Sequence, residues 1–214
     1  MLTQHSYRRG CESPAQTSRA WRGPERTSSY DLPYFNHPCL VLDFGSRQSL
    51  RSQGKPGYSG FDLVDTSGNI RKPLDYRDHY QALGTYTVLD PKGDQMHYTY
   101  ASPGTAEYYR KTGKFADGTV LVKEIHGTDH AQMTTGDAHW ATDTKVWFVL
   151  IKDAKGRYPN NPLWGDGWGW ALFKSDAPDK QVATDYKKDC LGCHIPAKAD
   201  DWIYVKGYPV LHSK

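Results

Sequence analysis

One arrangement of potentially reactive side chains stands out in this chain: Cys190-Leu191-Gly192-Cys193-His194. Cys-x-x-Cys-His is the attachment signal of c-type haem. The chemistry needs this spacing. Two thiols three residues apart share one helical face and can add to the two vinyl groups of one haem. The histidine that follows then reaches the iron from the proximal side. Two other uses of paired cysteines compete. A thioredoxin-like redox pair follows a strand in a βαβ unit, and the segments upstream of Cys190 do not read that way. A zinc site needs a second ligand pair, and Cys11 and Cys39 lie far apart in a segment of different character. The expectation is one covalent haem c, held by Cys190 and Cys193 with His194 on the iron.

A simple electron-transfer cytochrome also needs a sixth iron ligand, usually Met or His. No Met follows His194, and the one later histidine is His212. Upstream, Met96, Met133, His97, His126, His130 and His139 each read more naturally as surface or core residues than as ligands. An open sixth position is therefore expected, which implies ligand binding or catalysis at iron.

The elements that must position this motif are mostly strands. Leu83–Leu89 and Met96–Ala101 flank the turn Asp90-Pro91-Lys92-Gly93-Asp94 and predict a hairpin. Pro103–Lys111 predicts a short helix starting near Pro103 and ending at Gly113. Thr119–His126, Val146–Lys152 and Trp168–Phe173 predict further strands, and the nearly unbroken apolar run Val146–Ile151 marks a central one. A helix over 185–194, capped by Thr184 or Asp185 and stopped by Pro196, would carry the Cys-x-x-Cys-His motif. The pattern is α+β: an antiparallel, sheet-rich domain with a few short helices and a C-terminal haem-bearing helix.

Composition narrows the rest. Net charge is +3 with no basic block, which argues against nucleic-acid binding. No apolar run approaches the length of a membrane span. Aromatic residues make up 13% of the chain, too many for full disorder, and they can complete a core short of aliphatics, as can a large apolar cofactor. Residues 1–54 carry arginine but no lysine and lack periodic patterning, whereas lysine dominates the basic residues from Lys55 onward. We read 1–54 as a poorly ordered N-terminal segment and 57–213 as the folded domain. Arg8-Arg9 is not followed by an apolar stretch, so no signal peptide is visible in 1–54. Haem c is attached after export, so the mature domain is expected in the periplasm and 1–54 is not expected to be the native leader.

Several stretches in order carry a resemblance over about residues 58–211. They are Asp75-Tyr76-Arg77-Asp78-His79-Tyr80 with Leu83-Gly84-Thr85, then Tyr109–Glu124, then Cys190–His194 followed by Tyr208-Pro209-Val210-Leu211. Together they resemble the cytochrome P-460 family, which includes cytochrome c'-beta. The resemblance implies an antiparallel sheet with a few helices, usually in a homodimer. It also implies a covalent haem with a proximal histidine and an open distal side. Family members of the P-460 type oxidise hydroxylamine and pass electrons to a redox-partner cytochrome, and a lysine is cross-linked to their porphyrin. Members of the c'-beta type lack the link and bind nitric oxide or similar small gases.

The lysine that matches by position is Lys123. In a strand, Leu121, Lys123 and Ile125 share one face. A lysine bracketed by two large apolar residues either meets a partner or a covalent fate, or snorkels to solvent. The distal carboxylate of hydroxylamine-oxidising relatives aligns with Phe148. A phenyl ring cannot accept protons; it would crowd and dry a ligand pocket. His97, Glu124 and His126 remain candidates for a base. Lys123 thus points towards hydroxylamine oxidation, and Phe148 towards non-catalytic gas binding.

Overall fold

The computed structural model describes residues 59–212; the segment 1–54 lies outside the described residues. Seven strands form one sheet: β1 Gln81–Val88, β2 Gln95–Ala101, β3 Val120–Met133, β4 Gly136–Lys152, β5 Trp164–Gly165, β6 Trp168–Lys174 and β7 Ala177–Gln181. Their order is β1-β2-β3-β4-β6-β5, with β7 also on β6, and every pairing is antiparallel. Short turns join β1 to β2, β3 to β4 and β6 to β7, as antiparallel neighbours allow, whereas α2 lies between β2 and β3. The expected β1–β2 hairpin is present, and β4 lies inside the sheet, between β3 and β6.

Both faces of this sheet are covered, which is why β4 reads as a continuous apolar run. On one face Leu83, Ala101, Leu121, Leu150, Trp168 and Trp170 pack against the C-terminal segment, including Cys190, Trp202, Tyr208 and Leu211. On the other face Val120, Val122, Val149, Ile151 and Phe173 pack against Ile70, Tyr76, Tyr80, Leu163 and Trp164. The C-terminal segment lies so close to β1 that a Cβ on Gly84 would stand 2.6 Å from the Gly207 carbonyl oxygen. Glycine is needed there for the close backbone approach.

The helices are short: α1 Tyr76–His79, α2 Thr105–Thr112, α3 Tyr186–Asp189 and α4 Leu191–His194. Gly113 ends α2 at φ 69°, as its sequence position suggests. The start differs, because the turn after Pro103 uses Gly104 at φ 82° as the cap. The expected single helix over 185–194 is two. Asp185 caps α3 through its side chain, and the chain breaks at Cys190 (φ −129°, ψ −47°) before α4 begins. Pro196 opens a 3-10 helix, Ile195–Asp200, instead of ending the helical path, because its missing N–H costs nothing in a first turn.

β3 and β4 also run further than sequence patterning predicts. Beyond Gly127 they form a two-stranded ribbon joined by Thr134-Thr135, and most of its residues are exposed. Without a core to face, this ribbon has no reason to alternate apolar and polar residues, so its pattern is weak.

Candidate functional site

The Cys-x-x-Cys-His residues sit where the C-terminal segment crosses the sheet. Cys190 is buried and Cys193 exposed, and both thiols are free. Burial, with smaller contributions from Asp189 and Cys193, pushes the Cys190 thiol up to about 11. A redox-active cysteine is lowered instead, and the sheet has no parallel βαβ unit among its described strands. The thioredoxin-like alternative therefore lacks both its chemistry and its frame.

His194 is held in one orientation. Its Nδ1–H donates to the Trp202 carbonyl oxygen at 2.6 Å. Trp170 meets the imidazole edge to face at a centroid distance of 4.9 Å. This leaves Nε2, which makes no hydrogen bond among the described residues. A histidine whose Nδ1–H is spent on a carbonyl is oriented and tautomer-locked for metal ligation through Nε2. Burial lowers the His194 pKa; the Trp202 hydrogen bond opposes that shift, and the Lys123 charge adds to it.

The Trp202 carbonyl is itself placed by strained backbone. Asp201 and Trp202 have φ of 58° and 68°, the left-handed region that costs a non-glycine residue about 1–3 kcal/mol. Two strands hold this conformation. Lys152 Nζ of β4 donates to Asp201 Oδ1 at 2.6 Å, and Trp168 Nε1 of β6 donates to the Asp201 carbonyl at 3.0 Å. The sheet thereby fixes the loop that orients His194.

Facing this segment from the sheet is a row set by register. Thr99 pairs with Lys123, and Lys123 pairs with Phe148. Leu121 and Ile125 lie on the same face as Lys123, as their spacing predicts. Lys123 has no carboxylate partner within ion-pair distance among the described residues; its Nζ lies 5.5 Å from the centre of the Tyr86 ring. Burial lowers its pKa, while Tyr208 and Cys193 oppose the shift. Lys123 therefore shares an electrostatic neighbourhood with both Cys193 and His194. Phe148 beside it is half-buried.

His97, one pair further along, shares this face and pairs with Ile125. It is 6% exposed, and its Nε2 meets Gln95 Oε1 at 3.2 Å while its Nδ1 has no partner. Burial first, and then the Lys123 charge, lower its pKa to about 4.

Glu124 and His126 are on the other face. Glu124 is 1% exposed and accepts from the Tyr76 hydroxyl, from Arg77 Nε at 2.7 Å and from His126 Nε2 at 2.7 Å. Trp147 Nε1 donates to the Tyr76 hydroxyl at 2.9 Å. Burial alone would raise the Glu124 pKa, but the bonds from Arg77, Tyr76 and His126 outweigh it and hold the carboxyl below its ordinary value. The structure thus removes Glu124 and His126 from the candidate bases of the Lys123 face. Sequence reasoning missed that Tyr76 and Arg77, in the first resemblance motif, exist to hold Glu124, in the second. Buried carboxylates demand such partners, so the pairing of those motifs was the available signal.

The other suggested iron ligands are also placed elsewhere. Met96 accepts from the Tyr98 hydroxyl, and His212 Nε2–H donates to the Val205 carbonyl. His130, Met133 and His139 lie on the exposed ribbon.

An oriented imidazole beside two free cysteines, under a sheet face with half-exposed apolar side chains, is the donor set that a c-type haem would use. The family model for Cytochrome P460 matches residues 73–205, more than half of the chain, and the chain belongs to the Cytochrome P460 family. No curated protein matches the chain. Membership brings a haem cofactor, and the residues present fit one: the free Nε2 of His194, the orphaned Nδ1 of His97 and the unpaired amine of Lys123 all belong to one neighbourhood. Among the described residues, no helix is long and apolar enough to cross a membrane.

Proposed function

We propose that this chain is a mono-haem c cytochrome that binds nitric oxide, or a similarly small and weakly polar gas, at an open iron position. In this reading Cys190 and Cys193 would hold the porphyrin covalently and His194 would bind the iron through Nε2. When bound, the haem would supply a redox-active iron able to take a small ligand. The protein sets the rest. Trp202 fixes the proximal imidazole and strengthens it as a donor. Phe148 keeps the pocket small and dry.

The observation that carries this reading is the division between two adjacent residues. Lys123 lies on the face that meets the Cys-x-x-Cys-His segment, whereas Glu124 is turned away and tied to Arg77, Tyr76 and His126. No carboxylate of the Val146–Lys152 segment stands in for it, since that segment contains none.

Hydroxylamine oxidation is the second reading, and one observation favours it. His97 is neutral at ordinary pH; its Nε2–H donates to Gln95 Oε1, so its unpartnered Nδ1 is an acceptor for a proton. Lys123, with its lowered pKa, is the residue that would link to the porphyrin. A redox-partner cytochrome and a homodimer belong to both readings, and so does a periplasmic location, because haem c is attached after export.

The test is the optical spectrum of the reduced holoprotein, followed by nitric oxide titration and a hydroxylamine assay with an electron acceptor. A five-coordinate ferrous spectrum, stoichiometric nitric oxide binding and no hydroxylamine turnover support gas binding. A strongly red-shifted ferrous Soret band with turnover establishes the oxidase reading instead. A six-coordinate low-spin spectrum defeats both.

A further inference from the structure

The ribbon formed by the outer halves of β3 and β4 carries a second cluster of ligand-type side chains, away from the cysteines. Met133 pairs with Gly136 across Thr134-Thr135, and this short turn sets the register of the whole ribbon. Three pairs inward, His130 stands directly opposite His139. Their rings stack with centroids 4.9 Å apart and planes 14° from parallel. Asp137 precedes His139 by two residues, so it projects on the same side of β4. One nitrogen from each histidine and a carboxylate oxygen of Asp137 lie within 4.8 Å of one another.

The same groups are joined by ion-pair contacts, which a bound metal ion would replace. Asp137 Oδ1 is 2.9 Å from His130 Nδ1, and its Oδ2 is 3.3 Å from His139 Nε2. On its other side, His139 Nδ1 faces Asp94 Oδ2 at 3.9 Å, from the turn between β1 and β2. A metal-ligating histidine typically points its second ring nitrogen at such a carboxylate. Asp94 is held towards the ribbon by its own carbonyl, which accepts from Thr128 Oγ1 at 3.2 Å.

We propose that His130, Asp137 and His139 bind one borderline divalent transition ion of the Zn2+ type, with Asp94 orienting His139. Two imidazoles and one carboxylate suit Zn2+, Cu2+ or Ni2+, whereas Mg2+ and Ca2+ prefer sites made wholly of oxygen. Bond lengths of about 2.0–2.2 Å in a tetrahedral site set donor atoms roughly 3.3–3.6 Å apart, so the ion would part the 2.9 Å His130–Asp137 contact and draw in donors that stand up to 4.8 Å apart. Exposed side chains on a ribbon can make that shift without disturbing a core. His130 is 61% exposed and Asp137 50%, so solvent completes the coordination and the ion exchanges freely.

The test uses untagged holoprotein, so that no added histidine tract binds metal and Cys190 and Cys193 are already engaged by haem. Calorimetric titration with zinc chloride in a non-chelating buffer should give one site with a dissociation constant on the order of 10 µM or tighter. H130N, D137N and H139N should each weaken binding by at least about tenfold, and D94N by less. All four variants should keep the wild-type haem spectrum, which reports an intact fold. Mg2+ should not compete at a large excess. Absence of binding below millimolar zinc overturns the proposal. So does zinc binding that the three variants leave unchanged, or equal displacement by Mg2+.

Discussion

Lys123 and Glu124 are neighbours in sequence and opposites in structure. Glu124, on the face under α1, has both carboxylate oxygens engaged, by Tyr76, Arg77 and His126. Lys123, on the face under the C-terminal segment, has no carboxylate partner among the described residues, and beside it His97 keeps an unpartnered nitrogen. Both faces bury polar groups, but one completes its hydrogen bonding and the other does not. A satisfied buried network is a structural fastening. An unsatisfied one within a protein otherwise well paired marks a place built for something the chain itself does not supply. In the proposed reading that contrast gives the two faces different roles: the first locks β3 in register, and the second presents its side chains to a haem.

The largest test of this contrast is removal of the attachment residues. The double substitution C190S/C193S should abolish the haem signal that survives a denaturing gel, and H194A should eliminate the native spectrum. Retained covalent haem in the cysteine variant would overturn the assignment of the open face.

The next pits the two faces against each other. E124A strands the Tyr76 hydroxyl, Arg77 and His126, and should cost about 3 kcal/mol in urea unfolding, as expected when a buried ion pair loses one partner. K123M removes an amine with no carboxylate partner from a half-buried position and should change stability by less than about 1 kcal/mol, since it leaves no partner behind. Equal losses from the two substitutions would erase the distinction.

The faces should also differ in acid. His97 takes up its proton near pH 6.5 when unfolded, and near pH 4 when folded. The unfolded state therefore holds more protons between those values, and stability falls as pH drops from 6.5 to 4, by an amount on the order of 3 kcal/mol. Glu124 is depressed below its ordinary value, so its contribution is lost only lower, as pH falls through that folded value. Urea midpoints against pH should show the first slope disappear in H97F and the second remain.

The smallest effect concerns the proximal loop. K152M removes the ion pair that holds Asp201 and should cost about 1–2 kcal/mol, because the left-handed backbone at 201–202 loses one of its two anchors. The ferrous spectrum should shift slightly as the Trp202–His194 bond loosens. An unchanged spectrum and melting temperature would mean that Trp168 alone suffices.

The residues themselves determined a good deal. Cys-x-x-Cys-His is a local signal, since attachment chemistry depends on spacing along one short segment. The strands Leu83–Leu89, Met96–Ala101 and Val146–Lys152 were legible because alternation, turns and apolar runs are also local. The shared face of Leu121, Lys123 and Ile125 followed from strand geometry alone. Tertiary structure decided the rest. Nothing local says that Tyr76 and Arg77 reach Glu124 across 48 and 47 positions of chain, which takes Glu124 and His126 away from the Lys123 face. Nor does it say that Lys152 and Trp168 hold the strained loop that orients His194, or that His130 falls opposite His139. Each of these depends on register and on which face of a sheet another segment covers. Those are properties of long-range pairing, and spacing along the chain does not encode them.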